Sequence, residues 1–306
     1  GPGLNHAVIS RHPSPPASAD RERPMKKAAG GVGFDQKPLP IRLERLGFLA
    51  LKTLWRGLLP RRPREFVFLA GMQRSGTNMV MDVVERSLAA EVIHERDPRG
   101  FDHYQMRPHA IIAALRARCR APVFMIKSLC ELQRLRALMA DFAPARAIWV
   151  VRHFEDVVNS LLVSFPHEKR QITAIVEGGT AGWRGQGMSP DTLALLRKLY
   201  HPDMDETNAA ALMWYLRNVL FFEQGLDHDP RVLVVNYEEL VTQPQRNFAR
   251  IFDFLGLRLR PWHTRRVVAS SIRRRPPPAL EPAVREVCEA LAARFRPLTP
   301  SVHPDE

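Results

Sequence analysis

Short apolar runs alternate with amphipathic stretches from residue 66 to the end of the chain. Five of these runs are apolar nearly throughout, as expected of strands that are covered on both faces. They lie at residues 66–70, 91–94, 122–127, 147–151 and 231–236. Helical periodicity occupies stretches between them, such as 77–88 and 132–141. The pattern predicts an α/β fold, a doubly wound sheet of about five parallel strands flanked by helices.

Three other segments differ from this pattern. Residues 1–40 are rich in Pro, Ser and Gly and predict a disordered basic tail, whose Gly-Pro-Gly start is typical of residues left by cloning. Residues 41–62 predict an amphipathic helix ahead of the α/β domain, which we place at residues 63–300. Within that domain, residues 164–205 are rich in Gly and polar residues, and we expect a long irregular insertion that forms a lid or substrate wall.

The amphipathic helix carries a narrow basic stripe. At 100° per residue its four basic residues fall within about 80° of one another. They are Arg42, Arg45, Lys52 and Arg56. Residues 41–59 therefore fit an anionic membrane surface, with the basic side chains facing lipid headgroups. Packing of this helix on its own domain or on a partner subunit, such as a second copy, is the alternative.

Composition narrows the class of protein. The 306 residues suffice for one large domain or two modest ones. The sequence contains no run of 18 apolar residues, so it predicts no ordinary membrane-spanning helix. The cysteines Cys119, Cys130 and Cys288 are far apart and odd in number, which fits neither a disulfide framework nor a zinc site. We therefore expect no metal and a cytoplasmic protein, with peripheral attachment to the inner face of a membrane left open.

The positive charge is concentrated near the beginning of the chain. Of the net charge of +13, residues 1–65 contribute +8, from 13 Lys and Arg against 5 Asp and Glu. Such a segment contacts an anionic surface or is a solvated tether. Because the α/β region is only mildly basic and has no aromatic-basic RNA motif, we expect no nucleic-acid partner.

A glycine-bounded loop follows the first predicted strand. It runs from Gly71 to Gly76, and a helix begins near Thr77. Free N–H groups at a helix start, together with the helix dipole, favour a bound phosphate. The spacing of the glycines matches the Walker A pattern, but Thr77 occupies the lysine position, and the positive charge is at Arg74 instead. The loop therefore predicts phosphate binding without Mg²⁺-dependent phosphoryl transfer.

A second candidate phosphate site follows the fourth predicted strand. Arg152 leaves the carboxyl end of that strand, where open α/β sheets bind ligands. Ser160 lies eight residues further on, about two turns into the next helix. An arginine at a strand end with a hydroxyl facing it fits a phosphate.

Together these two segments resemble the sulfotransferase family that uses 3′-phosphoadenosine-5′-phosphosulfate (PAPS). Residues 74–78, Arg-Ser-Gly-Thr-Asn, are similar to its 5′-phosphosulfate loop, and residues 152–160 are similar to its 3′-phosphate motif. The later segments 232–244 and 248–257 also fit, and the resemblance covers residues 66–295. It implies a P-loop-like domain that transfers a sulfuryl group from PAPS to an acceptor hydroxyl and releases adenosine 3′,5′-bisphosphate (PAP).

The resemblance also implies which residues bind the nucleotide. The 5′-phosphosulfate would be held by Arg74, Ser75, Gly76, Thr77 and Asn78. The 3′-phosphate would be held by Arg152 and Ser160, with one or two arginines of the run at 273–275, for which we select Arg273 and Arg274. Trp214 and Tyr215 are candidates to stack on adenine, with a core role expected for at least one of them, and Tyr237 is expected to be structural.

The candidate catalytic residues are Arg74, Lys127, Glu95 and His94. The resemblance places Arg74 and Lys127 near the transferring sulfuryl group. Many members have a histidine two residues after this lysine, but here the sequence is Lys-Ser-Leu, so the base must lie elsewhere. We favour Glu95 and then His94, at the end of the second strand, with His103 third. The segment similar to the 3′-phosphate motif also departs from the family pattern, because His-Phe at residues 153–154 replaces the common Asp-Pro.

Three other functions stay open from the sequence. A P-loop-type phosphotransferase would need ATP or GTP with Mg²⁺, a nucleic-acid-binding protein would use the basic N-terminal segment, and a non-enzymatic membrane-peripheral module would use residues 41–59. For the sulfotransferase that the resemblance implies, we expect the acceptor to be a hydroxyl of a glycan, a lipid-linked molecule or a small molecule. We expect residues 95–120 and 164–205 to recognise it.

Overall fold

Five parallel strands form the centre of the structure, a computed structural model that describes residues 39–58, 65–178, 181–270 and 272–299. They are β1 (Glu65–Ala70), β2 (Ala90–Ile93), β5 (Val123–Ser128), β6 (Ala145–Val151) and β7 (Val232–Asn236), in the order β2-β5-β1-β6-β7. A short antiparallel hairpin, β3 (Phe101–Asp102) and β4 (Gln105–Met106), was not predicted. The predicted α/β fold is confirmed, and each strand lies within two residues of its predicted bounds.

Helices flank the sheet on both sides. They are α1 (Leu39–Gly57), α2 (Thr77–Glu85), α3 (His109–Arg118), α4 (Leu135–Asp141), α5 (Phe154–Ser164), α6 (Glu168–Val176), α7 (Pro190–Leu199), α8 (Glu206–Glu223), α9 (Tyr237–Thr242), α10 (Pro244–Phe254), α11 (Pro261–Thr264) and α12 (Pro282–Phe295). Most of the disordered tail predicted at residues 1–40 lies outside the described residues. The segment 164–205 is not irregular as expected, because α6 and α7 occupy much of it and its glycines are concentrated between these two helices.

The strands are apolar throughout because each face of the sheet is covered. In β1, Phe66 and Phe68 pack into a core with α4, α5, α8 and α12, whereas Val67 and Leu69 pack on the other side with α2, α9 and α10. Successive side chains of a strand point to opposite faces, so a strand buried on both sides needs apolar residues at every position.

The parallel sheet brings the candidate residues to one edge. Ala70, the last residue of β1, is in register with Ser128 of β5 and Trp149 of β6. The loops that follow these strands therefore leave the sheet side by side, with the loop after β2 next to β5. Ligands of open α/β sheets bind at this carboxyl edge.

Helix α1 lies beside the edge strand β2 and contacts the domain through its basic side chains. Arg45 donates two hydrogen bonds of 2.8 Å to the Glu85 carboxylate, and Lys52 Nζ donates one of 2.5 Å to the Glu85 carbonyl. Arg56 pairs with Glu91 and donates to the carbonyl of Ala90. The prediction that the basic stripe faces lipid headgroups is therefore wrong for these three residues, because buried acceptors of the domain bind them.

Electrostatics at this contact favour the ionised Glu85. Burial acts to raise the pKa of its carboxyl, but hydrogen bonds from His94 and Arg45 lower it from 4.5 to about 2. Burial lowers the pKa of the neighbouring Lys52 to about 7. Because the folded pKa of Glu85 is depressed, its contribution to stability is complete above about pH 4.5 and is lost as the pH falls towards 2.

We predict that Glu85→Gln removes this acid-dependent contribution. The free energy of unfolding of the unmodified protein should lose ~3 kcal/mol more than that of the variant as the pH falls through this window. Urea unfolding at a series of pH values measures the difference. Glu289→Gln, at an exposed carboxylate 3.6 Å from Arg285, is the matched control and should keep the full acid dependence. Parallel pH curves for Glu85→Gln and the unmodified protein would contradict the prediction.

Candidate active site

The loop between β1 and α2 has a strained backbone that only some residues tolerate. Gly76 has φ +92°, and a Cβ at this position would overlap the ring of Tyr237. Gly71 approaches β6 so closely that a Cβ would lie 2.7 Å from the Val150 carbonyl oxygen. Arg74 adopts a left-handed conformation with φ +70°. Such strain in a non-glycine residue is frequent at ligand-binding sites.

The two predicted phosphate segments meet directly. Arg74 Nε donates a hydrogen bond of 2.7 Å to Ser160 Oγ, although the two residues are 86 positions apart. The guanidinium of Arg152 donates one of 3.1 Å to the carbonyl oxygen of Arg74. Burial, and then the neighbouring charge of Arg152, lower the pKa of Arg74. Two cations held this close, in a partly buried place, make a site for an anion.

Arg152 is positioned by aromatic residues. Its side chain is buried, lies 4.4 Å from the ring of Tyr237 and is 3.8 Å from the carboxylate of Asp156. The indole of Trp214 donates a hydrogen bond of 3.0 Å to its carbonyl oxygen. Trp214 is fully buried, so the adenine-stacking alternative is wrong for it, and Tyr215 packs against the same core.

The departure at residues 153–154 has a local explanation. His153 caps α5, because its Nδ1 accepts a hydrogen bond of 3.4 Å from the Glu155 amide. Its own amide donates one of 3.0 Å to Glu238. Histidine thus serves as the N-cap that an aspartate would provide, and Arg152 and Ser160 keep their places.

A second polar cluster lies at the ends of β2 and β5. Lys127 is 2% exposed, and its Nζ donates a hydrogen bond of 2.8 Å to Asn78 Oδ1. The same ammonium forms an ion pair with Glu95. Burial lowers the pKa of Lys127, and Glu95 opposes this shift. The predicted residues Asn78 at the start of α2, Lys127 near the end of β5 and Glu95 after β2 are therefore in contact.

The other two candidate bases lie apart from this cluster. His94 Nε2 is 3.3 Å from Glu85, on the side where α1 docks, and does not share the ion pair of Lys127 with Glu95. His103 is at the exposed tip of the β3–β4 hairpin, where it contacts Asp102 at 2.8 Å. Contact with Lys127 therefore singles out Glu95 among the three.

The late basic segment packs on α5, beside the Arg152 motif. The backbone amide of Arg273 donates a hydrogen bond of 3.0 Å to Asp156, and Asn159 donates one of 3.1 Å to the carbonyl of Pro276. Arg274 folds back on its own turn and donates to the carbonyl of Ser270. Both arginine side chains are exposed.

Buried hydroxyls near the loop complete a set of donors. Ser75 Oγ and Ser128 Oγ are buried and make no hydrogen bond within the described residues. Such groups normally have a partner. Together with the first amides of α2 and the guanidinium groups of Arg74 and Arg152, they fit a ligand with several anionic oxygens.

The structure shows how the segments expected to recognise the acceptor are anchored, which the sequence did not indicate. Arg217 of α8 is fully buried and donates hydrogen bonds to the carbonyls of Trp183 at 3.3 Å, Arg184 at 3.2 Å and Leu129 at 3.1 Å. It thereby ties the segment between α6 and α7 to the end of β5. The hairpin is held there too, because Glu131 accepts a hydrogen bond of 2.7 Å from the Met106 amide. These contacts join residues that are far apart in the sequence, so the sequence pattern does not indicate them.

One further cluster has metal-ligand chemistry. Ligand atoms of Asp82, Glu85 and His94 all lie within 4.8 Å of one another. The sequence analysis missed this group because its members come from a helix and from the end of a strand. Arg45 already supplies positive charge to Glu85 through two hydrogen bonds, which accounts for the carboxylate without an ion.

The fold and the paired loops form a candidate anion site at the carboxyl edge of a parallel α/β sheet. The family model described as sulfotransferase domain matches residues 64–274, more than half of the chain. The chain therefore belongs to the sulfotransferase domain family. No curated protein was found to match it.

Solved structures that are similar to the chain are distant from it. A sulfotransferase domain from the curacin biosynthetic pathway is 16% identical with a TM-score of 0.44, over 76% of this chain and 99% of that one. A sulfotransferase from Alicyclobacillus acidocaldarius is 18% identical with a TM-score of 0.43, over 78% and 93%. Mouse sulfotransferase SULT7A1, complexed with PAP, is 16% identical with a TM-score of 0.39, over 69% and 66%.

We predict that Gly76→Ala destabilises the protein more than Gly256→Ala does. Both glycines have positive φ, +92° and +63°, but no atom lies within 4 Å of a Cβ at Gly256. Backbone strain alone should cost the control ~1 kcal/mol, whereas overlap with Tyr237 should add about 1–3 kcal/mol at Gly76. Urea unfolding of the two variants measures the difference, and equal losses of stability would show that Tyr237 moves aside freely.

Proposed function

We propose that the protein is a PAPS-dependent sulfotransferase. The observation that carries the proposal is the direct contact between the two phosphate segments, in which Arg74 bonds Ser160 at 2.7 Å and Arg152 bonds the Arg74 carbonyl at 3.1 Å. A nucleotide with phosphates at both its 5′ and 3′ positions needs two such anion sites side by side. PAPS and its product PAP have this pattern of charge.

The loop after β1 suits the 5′ end of the nucleotide. The amides of Gly76, Thr77 and Asn78 lie at the start of α2, where the positive end of the helix dipole favours the phosphosulfate. Ser75 Oγ has no hydrogen-bond partner within the described residues, so it can donate to a ligand. Thr77 follows Gly76 at the helix start. Gly76 lets the backbone approach closely, and Arg74 adds a full positive charge at the same loop.

The loop after β6 suits the 3′-phosphate. Arg152 and Ser160 supply a charged donor and a hydroxyl, and Tyr237 and Trp214 hold Arg152 in place. Arg273 and Arg274 belong to a segment that packs on α5 at Asp156. We propose that their exposed side chains add positive charge to a phosphate held by Arg152.

The cluster of Lys127, Asn78 and Glu95 suits the transfer itself. When bound, PAPS supplies the sulfuryl group. An acceptor oxygen forms a bond to sulfur while the bond from sulfur to the PAP oxygen breaks, and the hydroxyl proton passes to Glu95. Arg74 and Lys127 stabilise the negative charge that grows on the departing oxygen. The carboxylate and the ammonium already touch, so the proton acceptor and the charge stabiliser are pre-positioned.

The acceptor is a molecule with a free hydroxyl group. The β3–β4 hairpin and the segment between α6 and α7 are both anchored at the end of β5, through Glu131 and Arg217. They form walls beside Lys127, where an acceptor must bind to reach the sulfuryl group. A glycan, a lipid-linked hydroxyl and a small molecule all meet this requirement.

We predict that PAP binds with micromolar affinity and ATP binds more weakly, because the lysine that a triphosphate needs is Thr77 here. Arg152→Ala should weaken PAP binding about 10–100-fold, the usual effect of losing a charged hydrogen bond. Calorimetric titration with PAP, and with ATP and Mg²⁺, measures both effects. Arg285→Ala, at an arginine bonded to Glu155 at 2.8 Å, is the matched control and should bind PAP normally. Tighter binding of ATP would favour a phosphotransferase instead.

We predict that Glu95→Gln lowers the rate of sulfuryl transfer at least tenfold and leaves PAP affinity unchanged. Loss of a general base typically costs ~10²–10⁴ in rate. Steady-state transfer assays with a screened acceptor provide kcat, and calorimetry provides the affinity. Glu91→Gln, which changes a glutamate of β2 that pairs with Arg56, should keep full activity. If His94→Asn abolishes transfer and Glu95→Gln does not, the base is His94.

A further inference from the structure

Helix α1 turns an apolar surface to solvent. Seven of the twelve exposed large hydrophobic residues in the described part of the chain belong to α1 or to the residue that follows it. We define the outer face as the six leucines among these seven, and Trp55 lies beside it. The leucines are Leu39, Leu43, Leu46, Leu51, Leu54 and Leu58, and they are 52–83% exposed.

The outer face contains no charged side chain. At 100° per residue its leucines span an arc of about 140°. The other residues within this arc are Pro40, Gly47, Ala50 and Gly57. Arg45, Lys52 and Arg56 are on the opposite side, where they bind the domain. Glu44, at the edge of the arc, pairs with Arg265 and Arg266. The polar side of α1 thus holds the helix on the domain and leaves its apolar side without cover in the described structure.

The charge of the neighbouring sequence indicates what covers this face. The chain continues from Leu58 into residues 60–64, Pro-Arg-Arg-Pro-Arg, and residues 1–65 carry +8 in total. Two copies of the protein paired through the outer face would bring these like charges together. An anionic surface would attract them instead.

The apolar pattern of α1 fits a helix that lies on a membrane surface and does not cross the bilayer. In the part of the chain that the structure describes, no helix is sufficiently long and apolar to cross a bilayer. A helix with one broad apolar face lies in the plane of the interface, with that face in the boundary between headgroups and acyl chains. Trp55 beside the leucines is the residue type that is enriched at this depth.

We propose that the outer face of α1 docks the protein on an anionic bilayer surface. The leucines enter the headgroup–acyl boundary, and acidic headgroups attract the net positive charge that the sequence carries around α1. The basic side chains of α1 hold the helix to the domain and do not contact lipid, which is the reverse of the orientation that the sequence alone predicts. This surface is separate from the sulfuryl-transfer site, so the proposal does not depend on the enzymatic function.

Co-sedimentation of the full chain with vesicles tests the leucines. We expect binding to vesicles of phosphatidylcholine mixed with phosphatidylglycerol, and at least tenfold weaker binding by the double variant Leu46→Ser, Leu54→Ser, because two apolar side chains no longer leave water. Val163→Ser, at a side chain of α5 that is 46% exposed, is the matched control and should bind as the unmodified protein does. An unchanged thermal midpoint shows that the variants are folded.

The arginines are tested in the same assay. The triple variant Arg61→Gln, Arg62→Gln, Arg64→Gln should bind vesicles that contain phosphatidylglycerol at least tenfold less tightly, and added salt should weaken binding of the unmodified protein. Binding by the folded leucine variant at the level of the unmodified protein would overturn the proposal. So would light scattering that shows a dimer converted to a monomer by the leucine changes while vesicle binding persists, because the outer face would then be a contact between two copies.

Discussion

The guanidinium of Arg152 joins the two halves of the candidate site. It donates to the backbone of the loop after β1, while its own backbone directly follows the last residue of β6. A charge that is 8% exposed is costly unless it is compensated, and here the Tyr237 ring, the Arg74 carbonyl and Asp156 share the compensation. The proposed 3′-phosphate would complete it. The geometry of both loops therefore depends on how this one side chain is held.

The same region shows what a ligand site costs the folded chain. Arg74 has a left-handed backbone and a cation as its neighbour, and the hydroxyls of Ser75 and Ser128 are buried without a partner in the described residues. Each of these features opposes stability, and all are close to the carboxyl edge of the sheet. The surrounding core, which is apolar on both faces of the sheet, offsets them.

Helix α1 uses opposite faces for opposite purposes. Its long basic side chains reach buried acceptors at Glu85 and Ala90 and the partly buried Glu91, so the polar face is the one that binds the rest of the molecule. Burial removes much of the hydration of Lys52, and this lowers the pKa of its ammonium. The leucines that would normally form the core of a helical contact remain outside. An amphipathic pattern therefore identifies the two faces of a helix but does not say which one meets the protein.

The sequence by itself determined the α/β class, the five strands and the residues of the two loops. Strand burial and loop chemistry both depend on the types of residues that are neighbours in the sequence. It also placed Arg74, Arg152, Ser160, Lys127 and Glu95 at strand ends or in the following helix. The tertiary structure decided which of them touch, that Trp214 supports Arg152, that Arg217 ties a distant wall to β5, and that α1 binds the domain through its basic side. These contacts join residues that are tens of positions apart, and their distances depend on how whole elements pack, which no local pattern contains.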